Sequence, residues 1–250
     1  NTRIISRLDV KGENLIKTIR FEGLRKVGKP AEAATKYYND GIDEIIFMDI
    51  VASLYQRNNL HDILSLVANN IFVPITAGGG VKSIKDAQTL LRAGADKIAI
   101  NTEAVKNPKI ITELAENIGS QAVVLSIEAK KIGDQNWSAY TDNGREQTKR
   151  SVLEWVQEAE QLGAGEILLT SIDREGTRSG FDIELVRKVS SLVSVPVIAC
   201  GGMKDYSSLF EVVKTGLADA VAMSDCLHFN RLTIPNIKKE AKQSGIKVRI

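Results

Sequence analysis

Asp9 and Glu128 each end a short apolar run, RIISRLD at 3–9 and AVVLSIE at 122–128. A shift of 119 residues carries Leu8-Asp9-Val10-Lys11 onto Ile127-Glu128-Ala129-Lys130. Two acids on opposite walls of a pocket suit general acid–base work, one giving a proton while the other takes one. A lone acid at a strand end caps a loop or pairs with a neighbour, here Lys11 or Lys130; two acids at matching places point to chemistry. Glycine supplies the second signal. Ala77-Gly78-Gly79-Gly80 and Cys200-Gly201-Gly202 are related by a shift of 122 residues. Turns without side chains let backbone N–H groups approach a phosphate closely, helped by a following helix N-terminus. Asn101-Thr102 and Ser224 stand where they complete each cradle. Two cradles half a molecule apart imply a long ligand with a phosphate at each end.

Something must hold these groups over one mouth. Eight β-branched runs recur along the chain: 3–9, 43–50, 72–77, 96–101, 122–128, 165–172, 195–200 and 219–224. Between them lie stretches of helical period such as PAEAATKYYNDG, IKDAQTLLRAG, KIITELAENIG, SVLEWVQEAEQLG and SLFEVVKTG, most ending in Gly. Eight strand–helix units need about 240 residues, so 250 residues fit a (β/α)8 TIM barrel with almost nothing left over. An open doubly wound sheet is the alternative, and it would show fewer units and one glycine-rich turn. The 122-residue shift also takes Gly41-Ile42-Asp43-Glu44 to Gly163-Ala164-Gly165-Glu166. The expectation is one α/β domain over 1–250, built from duplicated half-barrels of roughly 1–120 and 121–250. In such a barrel chemistry sits at the C-terminal ends of the strands.

Composition excludes several other classes. Thirty-three Lys and Arg against 31 Asp and Glu leave +2, no global field for nucleic acid or a membrane surface. No apolar run approaches the roughly 18–20 residues that span a bilayer, and the N-terminus is too broken by charge for a signal peptide. Two Cys and two His, far apart, make neither a disulfide framework nor a zinc cluster, so no metal or cofactor is expected. Together these point to a cytoplasmic enzyme. Cys200 and Cys226 read as small buried side chains, His228 as a packing residue near the last helix, and Trp137 as part of a polar stretch, Lys131 to Arg150, that is a long loop or a hairpin. Arg3, Glu44, Lys97 and Glu166 lie at strand starts, where pattern alone reads them as solvated charges.

From Arg3 to Ile250 the sequence resembles the histidine-biosynthesis barrel family, and within it the cyclase subunits of imidazole glycerol phosphate synthase. The stretches that carry the resemblance are Leu8-Asp9-Val10-Lys11, Phe21-Glu22-Gly23-Leu24-Arg25, the run Glu44 to Ile50, Ala77 to Val81, Gly94-Ala95-Asp96-Lys97, and above all Gly163 to Arg174 with Gly176-Thr177 and Ser179-Gly180. The resemblance implies a lyase that takes ammonia from a glutaminase subunit docked under the barrel. It converts a bisphosphorylated formimino ribotide to imidazole glycerol phosphate and an aminoimidazole carboxamide ribotide. It also implies Asp9 and Glu128 as acid and base, a mobile loop whose Lys17 meets phosphate, cradle contacts from Gly79, Gly80, Asn101, Thr102, Gly176, Gly201, Gly202 and Ser224, and an ammonia gate of Arg3, Glu44, Lys97 and Glu166.

The departures concentrate at the mouth. Glu128 replaces an aspartate, Glu175 another, and Asp225 a small residue whose N–H meets phosphate. Ser6-Arg7 replaces Pro-Cys. Residues two apart on a strand share a face, so Arg7 should point inward about 6–7 Å below Asp9, hold it ionised and stand in the ammonia path. Two other readings stay open. One is a barrel that docks a glutaminase and passes ammonia to an amidotransferase acting on cell-surface sugars, which Arg7, Glu128 and Asp225 favour. The other is the sister isomerase, which leaves the four strand-start charges without a purpose.

Overall fold

The computed structural model describes residues 1–52 and 60–249. Among them, β1 (Arg3–Lys11), β2 (Asn14–Ile19), β3 (Glu22–Gly28), β4 (Glu44–Asp49), β5 (Ile75–Gly78), β6 (Lys97–Ile100), β7 (Val123–Gly133), β8 (Asn136–Thr141), β9 (Glu146–Ser151), β10 (Glu166–Ser171), β11 (Val197–Cys200) and β12 (Ala220–Met223) form one sheet. Parallel pairing runs β1–β4–β5–β6–β7–β10–β11–β12 and returns from β12 to β1, which closes an eight-stranded barrel. All eight apolar runs are barrel strands, and the five quoted helical stretches are helices packed around them.

A closed parallel barrel covers both faces of every strand, so its strands read as unbroken apolar runs. Ile4, Leu8 and Val10 join the large layer between barrel and helices, whereas Ile5 joins an inner cluster with Ile46, Met48, Val124, Leu168 and Ile198. Period-two alternation therefore turns Arg3, Arg7 and Asp9 inward with Ile5. Aspartates at the strand starts staple neighbours together. Asp43 accepts from the N–H of Ile4 (2.7 Å), Asp96 from Ile75 (2.8 Å) and Asp219 from Val197 (2.9 Å). Two strands begin later than the apolar pattern suggests, at Ile75 and Val197, because Pro74 and Pro196 have no N–H to give the ladder.

Two hairpins stand on the barrel, the first unresolved by the sequence pattern and the second in a stretch where a hairpin was one reading. The segment after β1 folds as the antiparallel pair β2–β3, and β7 continues into the antiparallel meander β7–β8–β9. The second lies in the stretch read as a long loop or a hairpin, and it is the hairpin; Trp137 on β8 is fully buried, its Nε1 donating to Asp182 Oδ2 at 3.0 Å. No helix of the described residues is long and apolar enough to cross a membrane.

The cradles are rigidly mounted. Ser83 caps helix Ile84–Arg92 through the N–H of Asp86, and Asp205 caps helix Tyr206–Lys214 through Ser208, again 122 residues on. Gly79 (φ +102°) leaves no room for a side chain, since a Cβ would lie 2.2 Å from the carbonyl oxygen of Asp49. At its repeat partner Gly201 (φ +92°) a Cβ would meet the oxygen of Ser171 at 2.9 Å. Gly79→Ala should therefore destabilise the barrel by about 2 kcal/mol or more, a fall of about 4–8 °C in melting temperature. Melting identical to wild type would show that the turn relaxes without cost.

Candidate active site

Arg7 and Asp9 meet inside the barrel. Both are almost wholly buried, and Arg7 Nε donates to Asp9 Oδ1 at 2.8 Å. Arg7 Nη1 donates to Thr170 Oγ1 at 2.9 Å and lies 3.7 Å from Cys200 Sγ, while the guanidinium sits 5.6 Å from the Phe21 ring centroid. Burial opposes a charge here, but Asp9, Cys200 and Glu175 outweigh it and raise the Arg7 pKa. The inward arginine is where period two puts it. Neither Thr170 nor Phe21 was singled out as its partner, although each lies within a stretch that carries the family resemblance.

Glu128 ends up differently from Asp9. Burial pushes its carboxyl up to about 7; the Gly144 N–H and Arg7 pull it down, and Asp9 and Asp142 add to the rise. The Gly144 N–H, in the turn between β8 and β9, donates to Glu128 Oε2 at 2.7 Å. The two acids thus divide: Asp9 is ion-paired, and Glu128 near neutral pH is poised to hold or release a proton. Gly144 was missed by the sequence reading; the Asn143-Gly144 dipeptide, a strong turn signal, could have marked it.

The two cradles open into adjoining pockets rather than one cleft. The first is lined by Gly79, Gly80, Asn101, Thr102 and Glu128, the second by Lys17, Gly176, Gly201, Gly202 and Ser224, and Arg7 lines both. Every sequence-predicted phosphate contact falls on one of the two. The first offers about 80 Å³, room for several waters, and the second about 30 Å³, room for a water or two. The second is narrow because its charges meet one another. Lys17 Nζ is ion-paired with Glu175 in a buried contact, and Asp225 Oδ1 accepts from Arg231 Nε at 3.0 Å with Arg178 Nε at 3.9 Å. Asp225 is thus held by arginines. Glu175 Oε2 also accepts from Thr18 Oγ1 (3.3 Å) and the Phe21 N–H (3.2 Å), which ties the β2–β3 hairpin over the mouth. Ser224 Oγ donates to the carbonyl of Arg7 at 2.9 Å, and Asn101 Nδ2 to that of Tyr140 at 3.1 Å. Thr102 Oγ1 accepts from the Asp142 N–H at 3.1 Å.

At the other end, Arg3, Glu44, Lys97 and Glu166 close a ring. Arg3 pairs with Glu44 at 2.8 Å and with Glu166; Lys97 pairs with Glu166 at 2.9 Å and with Glu44 at 3.4 Å. Both acids are buried, so the reading of these residues as solvated strand-start charges is corrected: buried carboxylates demand cations. Cys226 is buried and its thiol pushed up to about 12 by desolvation, then by Asp225, which fits a packing role. His228 packs on Tyr37, Nδ1 to Oη 2.7 Å, and burial lowers it to about 4, so it is neutral at pH 7.

The raised Glu128 has a measurable signature. Between about pH 4.5, its ordinary value, and pH 7 the folded chain keeps a proton that the unfolded chain releases. Stability must fall as pH rises through this window, by about 3 kcal/mol, and then level off. Glu128→Gln removes that loss, so the variant should gain in denaturant unfolding at pH 8 and gain little at pH 5. A pH-independent difference would overturn the assignment.

Comparison with known proteins identifies the family. A family model described as "Histidine biosynthesis protein" matches residues 3–233. A Legionella pneumophila protein named imidazole glycerol phosphate synthase subunit HisF is 61% identical over 203 residues, 81% of this chain and 96% of that protein. Proteins of the same name from Streptococcus sanguinis (strain SK36) and Dehalococcoides mccartyi are each 43% identical, over 248 and 250 residues, and each is covered to 98%. By the family model and these similarities, the chain belongs to the histidine biosynthesis protein family.

Proposed function

We propose that the chain is the cyclase subunit of an imidazole glycerol phosphate synthase, a cytoplasmic lyase of histidine biosynthesis. It would receive ammonia from a glutaminase subunit and convert the bisphosphorylated formimino ribotide to imidazole glycerol phosphate and the aminoimidazole carboxamide ribotide. The observation that carries this reading is the pair of buried acids on the inner wall: Glu128 lines the pocket at Gly79-Gly80, and Asp9 is held by Arg7, which lines both cradle pockets. An attacking amine must lose a proton and a departing group must gain one, and two carboxylates in unlike surroundings can do both. Glu128, near neutral, serves as the proton donor, and Asp9 as the acceptor. The backbone turns at Gly79-Gly80 and Gly201-Gly202 would take one phosphate each, with Lys17 leaving Glu175 for the ligand. The Arg3–Glu44–Lys97–Glu166 ring lies at the end away from the mouth, where a glutaminase would dock, and supports its reading as the ammonia entrance.

One observation favours a second reading: Asp9 is already committed to Arg7. A barrel that docks a glutaminase but hands ammonia onward to a sugar-modifying amidotransferase needs no free base at the mouth. The assay separates the two. Purified protein given an ammonium salt and the bisphosphorylated ribotide should release imidazole glycerol phosphate, and Asp9→Asn should lower that rate by about a hundredfold or more while the barrel stays folded. Turnover equal to wild type would remove Asp9 from the chemistry. No turnover by either protein, with glutaminase stimulation retained, would select the ammonia-delivery reading.

A further inference from the structure

Arg7 stands where the reacting part of a ligand spanning both cradles must pass. It lines the pocket at Gly79-Gly80 and the pocket at Gly201-Gly202, whereas Asp9 lines neither. Strand β1 carries it inward, and three neighbours fix it: Asp9 at Nε, Thr170 of β10 at Nη1, and the Phe21 ring above it. A proton bound for Oδ1 must first displace the guanidinium that occupies it. That weakens Asp9 as a base.

We propose that Arg7 restrains turnover at this mouth: it holds Asp9 in a buried ion pair and stands between the two anion cradles, so that the barrel binds its ligand but reacts slowly. Arg7 is a positioning residue in this scheme, acting through Asp9. Replacing Arg7 by a neutral side chain frees Asp9 Oδ1, on the strand position paired with Met48, to meet a ligand proton directly.

The inference rests on the cyclase reading for its assay, and the two fail separately. Wild type, Arg7→Met and Arg7→Lys are compared with an ammonium salt and the bisphosphorylated ribotide, with melting followed in parallel. Arg7→Gln replaces Arg7→Met if the latter does not fold. The expected result is a kcat about tenfold or more above wild type for the neutral variant, with KM within about threefold, and no gain for Arg7→Lys, which keeps the charge on Asp9. A residue with only a structural role would lower melting and kcat together. Wild-type turnover with no gain in the neutral variant overturns the proposal and leaves the cyclase reading standing. Turnover in the variant alone supports the proposal and removes cyclase activity from the native chain. Turnover in neither overturns both.

Discussion

A charge on the inner face of a closed barrel has no bulk water to turn to, and this constraint organises the whole interior. Every strand must send alternate side chains inward, and the eight parallel strands leave no open edge through which an inner charge could reach solvent. Each ionised group is therefore answered by another or forced toward neutrality. At one end Glu44 and Glu166 share Arg3 and Lys97; in the middle Asp9 is met by Arg7; over the mouth Lys17 is met by Glu175. Glu128 takes the remaining route, with one backbone N–H for support and a carboxyl shifted to about 7. Ion pairing and proton retention are two answers to the same desolvation cost, and between them they give the two acids different chemistry.

The answers come in matched places along the chain. A shift near 122 residues relates the glycine turns, the capping residues that follow them, the prolines that precede two strands and the close backbone contacts Gly79–Asp49 and Gly201–Ser171. The halves then diverge in charge. The pocket at Gly79 retains space, while the one at Gly201 is largely filled by Lys17, Glu175, Asp225 and the arginines on it. Repeated backbone with unlike side chains yields two cradles of one design and different occupancy.

Much of this was legible in the residues. Barrel strands announce themselves because burial on both faces removes polar positions, and the glycine turns because only glycine fits their backbone contacts. The inward direction of Arg7 followed from its distance of two residues from Asp9. What could not be read was pairing across the chain: Glu175 lies 158 residues from Lys17, and Thr170 163 from Arg7, separations that no local pattern encodes. The β2–β3 hairpin was hidden by its exposed, charge-rich outer strand, and Trp137 by polar neighbours whose side chains face the other way. The strand-start charges looked solvated one at a time; only closure brings them within reach of each other.

The contact between Lys17 and Glu175 has a consequence for how the mouth fills. A protein carboxylate already stands on the lysine that holds the β2–β3 hairpin down, aided by the Phe21 N–H on its second oxygen. An anion arriving at Lys17 thus swaps places with a resident one instead of creating a new attraction. Glu175 is a built-in surrogate for the anion, and binding at this mouth is a competition for one ammonium group.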